Sequence, residues 1–249
     1  MDKIFPSMHS KPEKIQIFSI IPSWLWVFVL LPMFMPFLGL GIWEQSEISV
    51  WLEIGYHTAN GIAMLLLIFE YLKEEWFMVS TDLRYYLKHI ALTVGLIVGA
   101  ELVFLSTLFL GGFDIIYMLD CLPVVEMSVT HSSLMVIQLK PIIGTIALSV
   151  FAPISICVLF YCLGFAPVCY KKPRLAYLSV AAITLIPPII DILWRGDAFF
   201  VICGYLVNLP IHLIACWSYQ KTDNVWTPLI SLAVVNLLSS IVIPIILLL

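Results

Sequence analysis

The sequence predicts an all-α polytopic membrane protein of about seven transmembrane helices. Three observations carry that expectation. Hydrophobic residues make up 62% of the 249-residue chain and charged ones 11%, with mean hydropathy +1.06, too few charges to keep a soluble domain dispersed. Apolar stretches of bilayer-crossing length recur along the chain, separated by short polar segments. Lysine and arginine fall on alternate segments rather than evenly. The net charge of −4 gives no basic footprint for nucleic acid. The six cysteines include no C-x-x-C pair. Cys157, Cys162, Cys169, Cys203 and Cys216 lie in apolar spans and read as small buried hydrophobes; Cys121 alone could meet an oxidising compartment.

In chain order, residues 1–19 form a polar tail with Lys3, Lys11 and Lys14. The first span, Ile20 to Trp43, is too long for a signal-peptide core and lacks a small-residue cleavage site, so it reads as a retained helix bent by Pro22, Pro32 and Pro36. Trp51 to Tyr71 is the second span and His89 to Leu110 the third. After Gly111-Gly112 an irregular extracytoplasmic segment runs to Lys140, carrying Asp114, Asp120, Glu126 and His131. The fourth span starts at Pro141 and reaches Tyr170. The fifth, Leu175 to Leu193, is interrupted by Pro187-Pro188. The sixth runs from Phe199 to Tyr219 and the seventh from Val225 to Leu249. The turn between these two is too short for anything but a tight helical hairpin. The expected division is therefore a tail over 1–19, three spans and the irregular segment over 20–140, and a four-helix core over 141–249, with no internal repeat.

Orientation follows from the basic residues. With the N-terminus cytoplasmic, inner segments hold Lys3, Lys11, Lys14, Lys73, Arg84, Lys88, Lys171, Lys172, Arg174 and Lys221, and outer ones Lys140 and Arg195: ten against two of the twelve. The positive-inside bias selects this arrangement, which puts the C-terminus outside.

The hairpin, FFVICGYLVNLPIHLIACWSYQKTDNVWTPLISLAVVN over 199–236, resembles the last two core helices of the CPBP family, the intramembrane CAAX proteases and their bacteriocin-processing relatives. Trp226 and Pro228 match that family's Trp-x-Pro entry and Asn236 the Asn of its His-x-x-x-Asn, with Leu232 at the His position. Upstream, APISICVLFY matches Ala-Pro-x-x-Glu-Glu-x-x-Phe-Arg at Ala152, Pro153 and Phe160; Ile156 and Cys157 stand at the Glu positions and Tyr161 at the Arg. The Phe-x-x-x-His signature falls on Ile183 and Pro187. The resemblance covers about residues 145–240 and implies a CAAX-protease-like helical core without its catalytic residues. Counted at about 1.5 Å per residue from the inner ends, Cys157, Pro187 and Asn236 lie about 20, 18 and 16 Å deep, close to one plane.

Peptide hydrolysis needs a water activated by a carboxylate or by a metal held on His and carboxylates. Ile156, Leu232 and Pro187 offer neither, so no zinc is expected. A thiol in apolar surroundings, as at Cys157, is inert. Asn236 needs a partner at mid-membrane, either another helix or a ligand. Glu101, mid-span, is costly there unless functional or paired, and His212 beside Pro210 is near it in depth. Glu53, His57 and Asn60 share a helical face, as a ligand site or a polar seam. Glu126 and His131 could bind a metal but lack further ligands nearby. Glu70, Lys73, Glu74 and Glu75, and the KKPR at 171–174, read as solvated inner loops.

The expected function is that of a catalytically inactive CPBP-like protein of a bacterial plasma membrane. It would bind membrane lipid and an integral-membrane or lipid-linked peptide partner as regulator, scaffold or bacteriocin self-immunity factor, with Asn236, Glu101 and His212 as binding residues. The alternatives are an active intramembrane protease using Glu101, His212 or Cys157, and a small-molecule transporter. The missing inverted repeat counts against the last.

Overall fold

The computed structural model describes residues 47–67, 69–113, 140–157, 161, 165–169, 172–185, 189 and 198–248. Every regular element among them is helical. In order they are α1 (Glu47–Leu67), α2 (Phe69–Thr81), α3 (Leu83–Leu110), α4 (Pro141–Ile146), a π-helical turn (Ala147–Phe151), α5 (Ala152–Ile156), α6 (Ala166–Cys169), α7 (Pro173–Thr184), α8 (Ala198–Thr222) and α9 (Trp226–Leu248). The first expected span (20–43), the segment carrying Glu126 and His131, and Cys121, Phe160, Cys162 and Pro187 lie outside the described residues.

The hairpin is formed as the sequence predicts, but its turn is tighter. Helix α8 continues through Thr222, and Asp223 takes a left-handed backbone, φ 48°. Asn224 Oδ1 then accepts the Trp226 backbone N–H at 2.9 Å, capping α9. Pro228 sits in the first turn of α9, where a missing N–H goes unused. Helix α3 lies across both hairpin helices. The contact is made by small polar residues: Thr93 Oγ1 donates to Ser218 Oγ at 2.8 Å and Ser231 Oγ reaches the Ile90 carbonyl at 3.5 Å. Short side chains of this kind let helices approach closely. Between the elements runs a core including Met64, Ile97, Tyr161, Phe165, Ala215, Tyr219, Leu232 and Val235.

One stretch departs from expectation. The charged segment after the second span is a helix of its own, α2, rather than a solvated loop. Leu72, Glu75 and Val79 recur at helical spacing and all three are buried, while Lys73 and Glu74 on the opposite face are exposed. Helix α2 then clasps the hairpin turn. Asn224 Nδ2 donates to the Glu75 carbonyl at 2.8 Å, and Trp226 Nε1 to the Leu72 carbonyl, also at 2.8 Å. Trp76 stands edge-on to Trp226, ring centroids 5.0 Å apart. Tyr86 of α3 is buried as well. Helix α3 starts at Leu83, before the expected His89, because Asp82 caps it through the Tyr85 N–H.

Basic stretches gather at that same end. Tyr85 donates to the Lys221 carbonyl at 3.1 Å, and Tyr177, on the helix that Lys172 and Arg174 introduce, donates to Gln220 at 2.7 Å. At the start of α4, Lys140 instead lies over the ring of Trp51, 5.2 Å from its centroid.

Helix α1 packs on the π-helical turn and on α5. The approach is closest at Gly61, where an added Cβ would fall 2.6 Å from the Cβ and 2.8 Å from the Cα of Phe151. Since a backbone atom blocks it, Gly61→Ala should destabilise the protein by about 1–3 kcal/mol. Gly55→Ala on the same helix, with nothing within 4 Å, should not. Denaturant midpoints of the two variants check this; equal midpoints would mean that α1 does not seat against Phe151.

Candidate functional site

Asn236 identifies the site. Its side chain is 7% exposed, and Nδ2 donates to the Leu148 carbonyl at 3.0 Å. Leu148 lies in the π-helical turn, so the amide's partner is on the helical segment that Pro141 begins. The chain itself explains why that carbonyl is available. Pro153 has no N–H and cannot close the α-helical bond to Ser149. The ladder widens upstream, and the Ala152 N–H bonds to the Ala147 carbonyl, five residues back. In that register the donor for Leu148 would be residue 153, again the proline. Asn236 supplies from α9 the N–H that α5 lacks.

Around this bond is a cavity of about 10 Å³, room for roughly one water. It is lined by Glu101 of α3, Pro153 and Ile156 of α5, Ile211 of α8, and Leu232, Val235 and Asn236 of α9. Three positions from the family resemblance, Ile156, Leu232 and Asn236, thus share one cavity wall with Glu101, which the sequence singled out for its cost. Cys157 and Tyr161 are fully buried beside it. The side chain of Ile183 and all of Pro187, the remaining matched positions, are outside the described residues.

His212 follows the cavity-lining Ile211 and is 1% exposed. Its Nδ1 meets the Tyr161 hydroxyl at 3.0 Å, the rings standing edge-on with centroids 6.1 Å apart. His212 thus has a partner in Tyr161, the residue at the arginine position of the family resemblance. A phenol and an imidazole on neighbouring spans were the available signal. Elsewhere, His57 is buried with its ring edge against Tyr56, Asn60 is half-buried, and the side chain of Glu53 is outside the described residues. Cys157, Cys169, Cys203 and Cys216 are buried thiols outside any disulfide.

Chemically the site offers one carboxylate, one amide and a pocket of atomic size in apolar walls. No group of three or more His, Cys, Asp or Glu that could hold a metal occurs among the described residues.

Removing the Asn236 amide should leave the Leu148 carbonyl buried and unbonded. Asn236→Leu is expected to cost about 1–3 kcal/mol. In a Pro153→Ala background, where residue 153 regains its N–H and the helix can close its own ladder, the cost should shrink. A double-mutant cycle on unfolding free energies measures this. Strict additivity would separate Asn236 from the proline.

No family model, no curated protein and no solved structure matches the chain.

Proposed function

We propose that the chain is a polytopic plasma-membrane protein built on a degenerate CAAX-protease-like core. It acts by binding a membrane partner, an integral protein or lipid-linked peptide, as regulator, scaffold or self-immunity factor, rather than by cleaving it. The observation that carries the reading is the meeting of Ile156, Leu232 and Asn236 at one cavity. These positions come from two motifs aligned separately in sequence, and two of them bring hydrocarbon where a protease needs a base or a ligand.

The membrane part of the proposal has its own support. Among the described residues one helix, Leu83–Leu110, is long and apolar enough to cross a bilayer, with shorter apolar helices at Pro141–Ile156 and Trp226–Val242. The core helix of a soluble protein would be mostly buried; only 17% of the apolar window of Leu83–Leu110 is. Leu92, Leu96, Leu102, Val103, Phe109 and Leu110 are exposed along it, a face that lipid would cover. The gathering of Lys73, Arg84, Lys172, Arg174 and Lys221 stretches at one end of the bundle agrees with a cytoplasmic N-terminus. A cavity of about 10 Å³ admits no peptide, so the partner engages the faces of the surrounding helices.

Glu101 favours one competing reading, an intramembrane hydrolase with an unusual base, because it lines a cavity with room for about one water.

Three experiments test the proposal. Reporters at the N-terminus and after Lys221 should be cytoplasmic, and reporters after Arg195 and at Leu249 external; a cytoplasmic C-terminus removes the odd-span topology. Purified protein should hold well under stoichiometric zinc and leave CAAX-type peptides intact. Cleavage that disappears in Glu101→Gln would establish the hydrolase instead. A partner recovered by crosslinking in membranes is the positive result.

A further inference from the structure

The end of the bundle where α2 clasps the hairpin turn carries an excess of exposed cations. Lys73 of α2, Arg84 and Lys88 of α3, Lys172 and Arg174 where α7 begins, and Lys221 at the end of α8 are all exposed. Among the described residues at this end the exposed carboxylates are Glu74 and Asp82; Glu75 is buried and Asp223 half-buried. Asp82 is moreover engaged in capping α3 through the Tyr85 N–H. Three of the cations are drawn together. The Tyr85 hydroxyl donates to the Lys221 carbonyl at 3.1 Å, which sets the last turn of α8 beside the first turns of α3, where Arg84 and Lys88 stand four residues apart. A surface of this sign attracts anions.

The side chains among the cations decide which anion. Trp76 and Phe77, 47% and 69% exposed, share the outward face of α2 with Lys73. Leu83 and Leu87, either side of Arg84, are exposed as well. An acidic peptide in water would leave these apolar groups without a partner. Along α3 the exposed side then becomes hydrocarbon: Leu92 follows Lys88 by about 6 Å of axis, and with Leu96 it opens the face that lipid would cover. Cations, then interfacial aromatics, then hydrocarbon is the order of layers met on entering a bilayer. We propose that this surface binds the headgroup phosphates of anionic phospholipid, with Arg84, Lys88 and Lys221 as the principal cations and Trp76 and Phe77 seated in the interfacial layer. The bound lipid ties α3 to the hairpin at the end where α2 closes over it. The inference rests on the membrane reading above and uses neither the family resemblance nor the central cavity.

The full-length chain, in micelles of a neutral detergent, is unfolded thermally while phosphatidylglycerol, phosphatidylcholine of the same acyl chains, or inorganic phosphate is added. Phosphatidylglycerol should raise the midpoint saturably, because a ligand of the folded state alone stabilises it; the other two should not. Replacing Arg84, Lys88 and Lys221 together by Gln should weaken the apparent affinity by about a hundredfold, each basic residue near an anionic surface being worth about fivefold. Arg84→Lys with Lys88→Arg and Lys221→Arg keeps the charges and should keep the affinity. Lys221→Gln alone, expected to cost about fivefold, serves if the triple Gln variant does not fold. An equal shift with phosphatidylcholine or with inorganic phosphate overturns the lipid site, as does a full response in the neutralised chain. A chain that stays monodisperse without detergent overturns the membrane reading and this site with it. One that needs detergent yet does not respond to phosphatidylglycerol overturns the site alone.

Discussion

The bundle depends on one hydrogen bond that no single helix can supply for itself. Pro153 removes an N–H from the middle of an apolar helical segment, and in a water-poor interior the orphaned carbonyl must be met. The segment responds by widening into the π-helical turn Ala147–Phe151, which moves the unmet carbonyl to Leu148. Asn236 of α9 then donates to it at 3.0 Å. Local backbone chemistry is thereby converted into a long-range constraint. The widened turn sets where α5 points and gives α1 the surface on which Gly61 closes against Phe151. It also brings Pro153 and Ile156 to the cavity that Glu101 and Leu232 complete.

A second constraint fixes the far end of α9. Asn224 does two things at once: its oxygen caps the helix through Trp226, and its nitrogen holds the Glu75 carbonyl of α2. Trp226 adds a bond from its indole to Leu72. The hairpin turn is thus sealed by a helix that carries exposed charge on one face and buried Leu72, Glu75 and Val79 on the other. With its entry pinned at Asn224 and its middle pinned at Asn236, α9 has little freedom to rotate, so the register that places Leu232 and Val235 on the cavity is set from both sides.

The parts legible in the sequence were those governed by local chemistry or gross hydropathy. The tight hairpin could be read from a short polar turn and a Trp-Thr-Pro entry, and the all-helical class from apolar lengths alone. Asn236 and Glu101 stood out because polar groups in apolar spans need explanation. Three features were not legible. Helix α2 was hidden by its charge density, although Leu72, Glu75 and Val79 carried the inward spacing. The π-helical turn was hidden because Pro153 alone does not say whether a helix kinks or widens; that depends on a donor 83 residues away, at Asn236. Tyr161 as the neighbour of His212 was not legible because a phenol's partner on another helix depends on how the helices pack.

At Ile156 and Leu232 the side chains pack, and packing asks only for shape. At Asn236 the side chain answers a backbone vacancy created by Pro153, and that demand persists whether or not any chemistry takes place nearby. Asn236 is therefore no evidence of catalysis here, because its bond to Leu148 accounts for it. Glu101 differs from Ile156 and Leu232. Hydrocarbon packing does not require a carboxylate at that wall, and a leucine would fill the space at lower cost. Glu101 has interactions of its own within the structure, so the carboxylate at that wall answers a polar demand, as Asn236 does, rather than packing alone.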